Sequence, residues 1–154
     1  MRIALEEAAR APAIGEVPIA AVVVRGSQIL AQAHNCRELW QDPTAHAEVI
    51  AIRVAATALG TWRLTDTTLY VTVEPCSMCI GAIILARISR VVFGAWDLKA
   101  GACGSVFNLP SEPKLNHRVA VTGGVLEVES QALIQKFFKQ LRDTSSTTHP
   151  LSTQ

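Results

Sequence analysis

The sequence predicts an α/β protein built as a three-layer α/β/α sandwich, and three observations carry that reading. A near-continuous apolar run, residues 19–24, is followed by a turn and a second apolar stretch, which together read as a hairpin with a central strand buried on both faces. Two further strand-like runs, residues 67–73 and 88–95, are separated by one helical stretch, so they lie parallel to one another. Amphipathic helical patterns open and close the chain, which supplies cover for both faces of a sheet.

Taken in order, residues 2–13 place Ile3, Leu5, Ala8 and Ala9 at helical spacing, with Gly15 to close the helix. Pro18 precedes the first strand, residues 25–28 form the turn, and residues 29–33 return as the second strand. A polar loop covers residues 34–42. Asp42 and Thr44 are alternative N-caps for the next helix, Pro43 suits its first position, and Gly60 ends it after Leu59. The third strand stops at Glu74-Pro75, and a helix is expected from about Cys76 to Ala86. After the fourth strand comes a Gly-rich segment, residues 96–108, extended to Asn116 by Pro110 and Pro113. A short fifth strand over 118–122 ends at Gly123-Gly124, and a long amphipathic helix fills 125–142. Residues 1–143 make one domain, and the Ser/Thr-rich residues 144–154 are expected to be a disordered tail.

Composition narrows the class. The 154 residues are 49% hydrophobic and 18% charged, with a net charge of +1, so the chain is a globular folder without a bulk electrostatic pull toward nucleic acid. Cys36, Cys76, Cys79 and Cys103 do not space like a disulfide framework. No apolar run approaches the roughly 20 residues that span a bilayer, and no secretory leader opens the chain. The expectation is a reduced, cytoplasmic protein with no membrane and no organic cofactor.

Chemistry concentrates in Thr44-Ala45-His46-Ala47-Glu48 and Pro75-Cys76-Ser77-Met78-Cys79. Thiolates and a neutral imidazole are ligand types that zinc prefers, and three protein ligands with one open position mark a catalytic site. His46, Cys76 and Cys79 supply those three, which leaves Glu48 as a carboxylate to move protons between a water and a substrate. His46 and Glu48 are two apart, so only the first turn of a helix lets both serve one site. Cys76 and Cys79, three apart at a helix start, share a face, and two helix N-termini converging on the metal favour thiolate. The competing reading is a structural zinc site with Cys103 or another histidine as fourth ligand. Cys36 and Cys103 otherwise read as small packing residues, and His34, His117 and His149 have no matching partner set.

These motifs resemble the zinc-dependent nucleoside and nucleobase deaminases, and most nearly the bacterial tRNA-specific adenosine deaminases. The likeness runs through Glu16-Val17-Pro18, Asn35, Asp42 to Glu48, Leu69 to Cys76, Arg90-Val91-Val92-Phe93-Gly94, Asn116-His117-Arg118-Val119 and Phe137-Phe138. It implies a five-stranded mixed sheet of the cytidine deaminase type and one zinc per subunit. It further implies adenosine-to-inosine conversion at the wobble position of a tRNA, an arginine tRNA first among candidates, with a zinc-bound hydroxide and Glu48 as proton shuttle. Asn35, by itself a turn asparagine, would contact the target base or its ribose. Asp97 and Lys99, otherwise a solvated loop pair, would contact RNA beside the flipped nucleotide. Phe137 and Phe138 cannot both face the core, and Phe138 is the one favoured as a stacking platform, with Lys136, Lys139 and Arg142 for phosphates. The anticodon stem-loop would be the partner, and a homodimer the assembly. Departures from the family lie at Ala20, Val128, Ser130 and the segment before Glu16, none in the zinc set. Two rival readings remain: a free nucleobase or nucleoside deaminase of guanine or cytosine type, and a catalytically inactive zinc-stabilised module that binds RNA or a partner.

Overall fold

A computed structural model of the chain describes residues 1–146. Five strands form one sheet: β1 (Ala20–Arg25), β2 (Gln28–His34), β3 (Thr68–Val73), β4 (Arg90–Ala95) and β5 (Ala120–Thr122), in the order β2-β1-β3-β4-β5. β1 pairs antiparallel with both β2 and β3, whereas β3–β4 and β4–β5 are parallel, so the sheet is mixed. The hairpin turns at Gly26-Ser27, where Gly26 takes φ +57°, a conformation that costs glycine little.

The helices are α1 (Arg2–Ala8), α2 (Arg37–Trp40), α3 (Ala47–Leu59), α4 (Ser77–Leu85) and α5 (Glu127–Ser146). α1 and α5 touch each other and cover one face of the sheet, while α3 and α4 pack together on the other. The expected three-layer sandwich is therefore the observed one. Its main core lies beneath α3 and α4, where Ala47, Ala51 and Ala55 of α3 and Ile80, Ile83 and Ile84 of α4 join Val23, Leu69, Val71, Val91 and Phe93 from the strands. Alanines on the inner face of α3 let that helix lie close to the sheet.

Four boundaries differ from expectation for physical reasons. The first α-helix ends at Ala8 instead of reaching residue 13, because Pro12 has no N–H to give the Ala8 carbonyl and its ring crowds that group. Residues Ala11–Ile14 tighten into a 3-10 turn instead, closed as expected by Gly15 at φ +78°. The loop before α3 contains the short α2, which the polar composition hid. α3 is capped neither by Asp42 nor by Thr44. Asp42 Oδ1 accepts bonds from the Thr44 N–H (2.8 Å) and hydroxyl (2.7 Å) in a turn of its own, and the helix starts at Ala47 with His46 as N-cap. Finally, α5 continues to Ser146, three residues into the segment expected to be a tail; the rest of that segment, 147–154, lies outside the described residues.

β4 and α5 meet at Gly94, where backbone contact leaves no room for a side chain. A Cβ there would lie 2.6 Å from the Thr72 carbonyl oxygen and 2.1 Å from Ser130 Oγ. Gly94→Ala should therefore lower stability by about 1–3 kcal/mol, read as a shift of the urea midpoint at constant m-value. An unchanged midpoint would mean that α5 can lift from the sheet at no cost.

Candidate metal and active site

α3 and α4 both begin at the end of the sheet formed by the carboxyl ends of β3 and β4, the usual place for sites in open α/β sheets. Their N-cap residues, His46 and Cys76, have extended backbones (ψ 148° and 175°), and neither side chain folds back to cap its own helix. The two side chains point at each other instead. His46 Nδ1 lies 3.7 Å from Cys76 Sγ and 3.4 Å from Cys79 Sγ. Zn–S bonds of about 2.3 Å and Zn–N bonds of about 2.0 Å in a tetrahedron separate sulfur from nitrogen by about 3.5 Å, so the donors stand as a zinc ion requires. The extended cap also resolves the two-residue spacing of His46 and Glu48, because only Glu48 belongs to the helix.

No further His, Cys, Asp or Glu among the described residues joins this group, whose ligand atoms lie within 4.8 Å of one another. Cys103 is buried and free. His34 Nδ1 sits 2.7 Å from Glu7 Oε1, and His117 Nε2 sits 2.7 Å from the Ile88 carbonyl; His149 lies outside the described residues. The arrangement is thus three donors with a fourth position facing a cavity, which favours the open site over the structural one.

The protonation states follow from crowding. Contact with Cys79, and then with the His46 ring, draws the Cys76 thiol down to about 4. Cys79 moves the other way, raised by its contact with Cys76 and by burial. The Cys76 contact raises His46. One sulfur of the pair thus ionises readily, and a bound cation would stabilise thiolate at the other. Glu48, at 4% exposure in the first turn of α3, is pushed up to about 7 by burial. A carboxyl near neutrality can both take and give a proton at ordinary pH.

A cavity of about 620 Å³ opens above these groups, with His46, Cys76 and Glu48 on its floor. All four residues expected to meet substrate line it: Asn35, Asp97, Lys99 and Phe138. Asn35 is buried, and its Oδ1 accepts the Ala47 N–H at 2.9 Å, so it satisfies the α3 start that His46 leaves uncapped. Asp97 Oδ1 accepts the N–H groups of Lys99 (2.9 Å) and Ala100 (3.2 Å), which makes it a turn-former as well as a wall residue. The paired aromatics divide as the sequence demanded. Phe137 is 7% exposed and in the core, while Phe138 is 43% exposed at the cavity rim.

One residue that sequence reasoning passed over is Glu74. The sequence marks it as the end of a strand within the family-like run and assigns it no role, yet its carboxylate is buried and accepts the N–H groups of Asp97, Cys103 and Ser105 and the Ser105 hydroxyl. Burial alone would raise its pKa, but the bonds from Ser105, Asp97 and Cys103 outweigh that and hold it below the usual carboxylate range. The available signal was a charge set between an apolar strand and the first cysteine ligand, a costly place for an unpartnered carboxylate.

Comparison with known proteins agrees with this geometry. The profile of MafB19-like deaminases matches residues 1–142. A tRNA-specific adenosine deaminase of Bacillus subtilis is 51% identical over 92% of this chain and 88% of its own length. One from Aquifex aeolicus is 48% identical over 93% of this chain and 94% of its own. Among solved structures, one from a study of A-to-I editing by tRNA:A34 deaminases at the wobble position of transfer RNA superposes with a TM-score of 0.83 at 44% identity, covering 86% of this chain and 96% of that one. A guanine deaminase from Nitrosomonas europaea shares the fold at 25% identity and a TM-score of 0.74, over 88% and 81% of the two chains. With half its residues shared along nearly the whole length, and with a His-Cys-Cys set that could hold a metal beside a buried glutamate, the chain belongs to the tRNA-specific adenosine deaminase family.

Proposed function

We propose that this protein hydrolyses the exocyclic amine of adenosine at the wobble position of a tRNA anticodon, giving inosine and ammonia, with an arginine tRNA as the first candidate substrate. The observation that carries the proposal is the buried carboxyl of Glu48 beside a three-donor His46–Cys76–Cys79 set on the floor of an open cavity. Zinc held by His46 Nδ1 and the two sulfurs would supply Lewis acidity that makes water acidic near neutral pH. Glu48 takes a proton from the attacking water and hands it to the ring nitrogen next to the reacting carbon. The C–O bond forms, the C–N bond breaks, and Glu48 passes the second proton to the leaving amine, so water and adenine become hypoxanthine and ammonia. Val17 and Ile19 on one wall keep bulk water from the base, and Asn35, already tied to α3 through its oxygen, presents its amide to the nucleotide.

A base paired in a duplex cannot reach this floor, whereas one in an anticodon loop is unstacked at low cost. The apolar rim favours RNA over a free base. Trp96, Leu98 and Phe138 are exposed there, 82% in the case of Leu98, and such surfaces suit stacking by neighbouring bases. Asp97 and Lys99 line the same cavity. A homodimer belongs to the proposal too: Trp40, Ile50 and Val54 line an apolar groove of about 520 Å³ along α2 and α3, on which a second copy would bury exposed tryptophan. The tRNA substrate puts the protein in the cytoplasm. No helix among the described residues is long and apolar enough to cross a membrane.

The direct test is inosine formation on an arginine anticodon stem-loop RNA, with free adenosine, cytidine and guanine alongside. Inosine at the wobble position with the free compounds unchanged is expected. Turnover of a free base with the RNA untouched would keep the chemistry and discard the tRNA substrate. Inactivity on all four would favour a binding module. Glu48→Ala should keep about one zinc per chain and lose at least about 10²-fold in kcat; an apo variant would contradict the role given to Glu48. Cys76→Ala should lose the metal instead, measured by elemental analysis after dialysis.

A further inference from the structure

Among the described residues four glutamates are buried: Glu7, Glu16, Glu48 and Glu74. Glu7 lies between Arg10 and His34, Glu16 accepts the Leu39 N–H, and Glu48 contacts the Cys79 side chain. Glu74 differs from these because four hydrogen bonds, all from the loop after β4, converge on its carboxylate. Oε1 accepts from Cys103 N (2.9 Å) and Ser105 N (3.0 Å), and Oε2 accepts from Asp97 N (3.0 Å) and from Ser105 Oγ. The loop is stitched to the same short segment by backbone bonds as well. Ala102 N donates to the Pro75 carbonyl at 2.8 Å, and Gly101 bridges Cys76. Gly101 has no alternative there, since a Cβ would sit 2.2 Å from Glu74 Oε2 and 2.6 Å from the Asp97 carbonyl.

Between its two anchors, at Asp97 and at residues 101–105, this loop carries Leu98, Lys99 and Ala100 along the cavity wall. An isolated loop of this composition has no core of its own; Leu98 and Lys99 are exposed. Only Pro75 separates Glu74 from Cys76, so the carboxylate that fixes the wall and the sulfur that helps form the floor share one stretch of backbone. We propose that Glu74 is a positioning residue for substrate: it sets the 97–105 loop at a fixed height over the metal donors, so that the wall meets the nucleotide already ordered. The proposal rests on the deaminase reading above for the identity of the substrate. It assigns Glu74 to binding and not to the proton transfers of Glu48. Ordering the loop in advance spares the entropy of ordering it on binding.

Glu74→Gln tests this with little change in shape. Its amide oxygen can still serve one pair of donors, while its NH₂ faces the other pair and repels the Asp97 or Cys103 N–H. Zinc-loaded wild type and variant would be compared for KM and kcat on the anticodon stem-loop, for zinc per chain and for amide hydrogen exchange. The expected result is a KM raised about tenfold, kcat within about twofold, zinc unchanged, and faster exchange at Asp97, Cys103 and Ser105 with β1 and α3 unaffected. A loop that exchanges faster with KM unchanged would overturn the proposal. Loss of zinc, or a fall confined to kcat, would also overturn it, because Glu74 would then serve the floor and not the wall. Should Glu74→Gln fail to fold, Ser105→Ala removes only the hydroxyl bond and should raise KM about threefold; a flat KM there is equally fatal. If the wild type turns over no RNA, the tRNA substrate falls, and the exchange rates alone decide whether Glu74 holds the loop.

Discussion

Two helices that start without side-chain caps of their own, nose to nose at one end of a sheet, are the constraint on which this structure depends. A helix N-terminus carries unsatisfied N–H groups and a partial positive charge, and most helices answer it with a serine, threonine or aspartate folded back on the first turn. In α3 and α4 the cap positions are His46 and Cys76, and each turns outward. The positive ends are thus left to favour thiolate and whatever anion approaches. Asn35 meets part of the resulting need by accepting the Ala47 N–H from a neighbouring loop. Stability of the helix starts and readiness of the donors are therefore linked through one asparagine that also faces the cavity.

The rest of the site is hung on that junction by buried carboxylates acting as backbone acceptors. Glu16 takes the Leu39 N–H and so ties the entry to β1 to α2 on one side. Glu74 gathers the loop after β4 on the other. Charge-assisted bonds to N–H groups are strong and directional, and in the loop after β4 they add to the burial of Ala102 and Cys103 in the core. Glycines appear where this gathering is tightest: Gly101 against Glu74, and Gly123 with Phe93 where a Cβ would stand. A rigid floor with walls pinned from within suits a reaction in which a base must be held at a set distance from water and a proton carrier.

Much of this could be read from residue order. Periodicity separated strands from helices, and the helical crossover between residues 73 and 90 required parallel neighbours, which β3 and β4 are. The ligand types and the stray carboxylate of Glu48 marked the site. Adjacent phenylalanines on a helix had to face apart, and the structure assigns Phe137 to the core and Phe138 to the rim. Local signals misled where two of them competed. Asp42, Pro43 and Thr44 form a good helix start on paper, yet they close a turn, and the helix waits until His46 has been delivered to the donors. Pro12 ended α1 early, a consequence of its missing N–H that the apolar spacing around it concealed.

The sequence by itself determined the layer architecture, the His46–Cys76–Cys79 set that could hold a metal and the carboxyl proposed for proton transfer, because each depends on residue type, spacing and period within a short stretch. Only the tertiary structure decided that the donors stand at tetrahedral separations, that Asn35 caps a helix it does not belong to, and that Glu74 is an anchor and not a strand end. Those three facts are hydrogen bonds or contacts between residues 12 to 33 positions apart in the chain. No local pattern encodes such pairings; they exist once the sheet has brought the carboxyl ends of β3 and β4 beside the starts of α3 and α4.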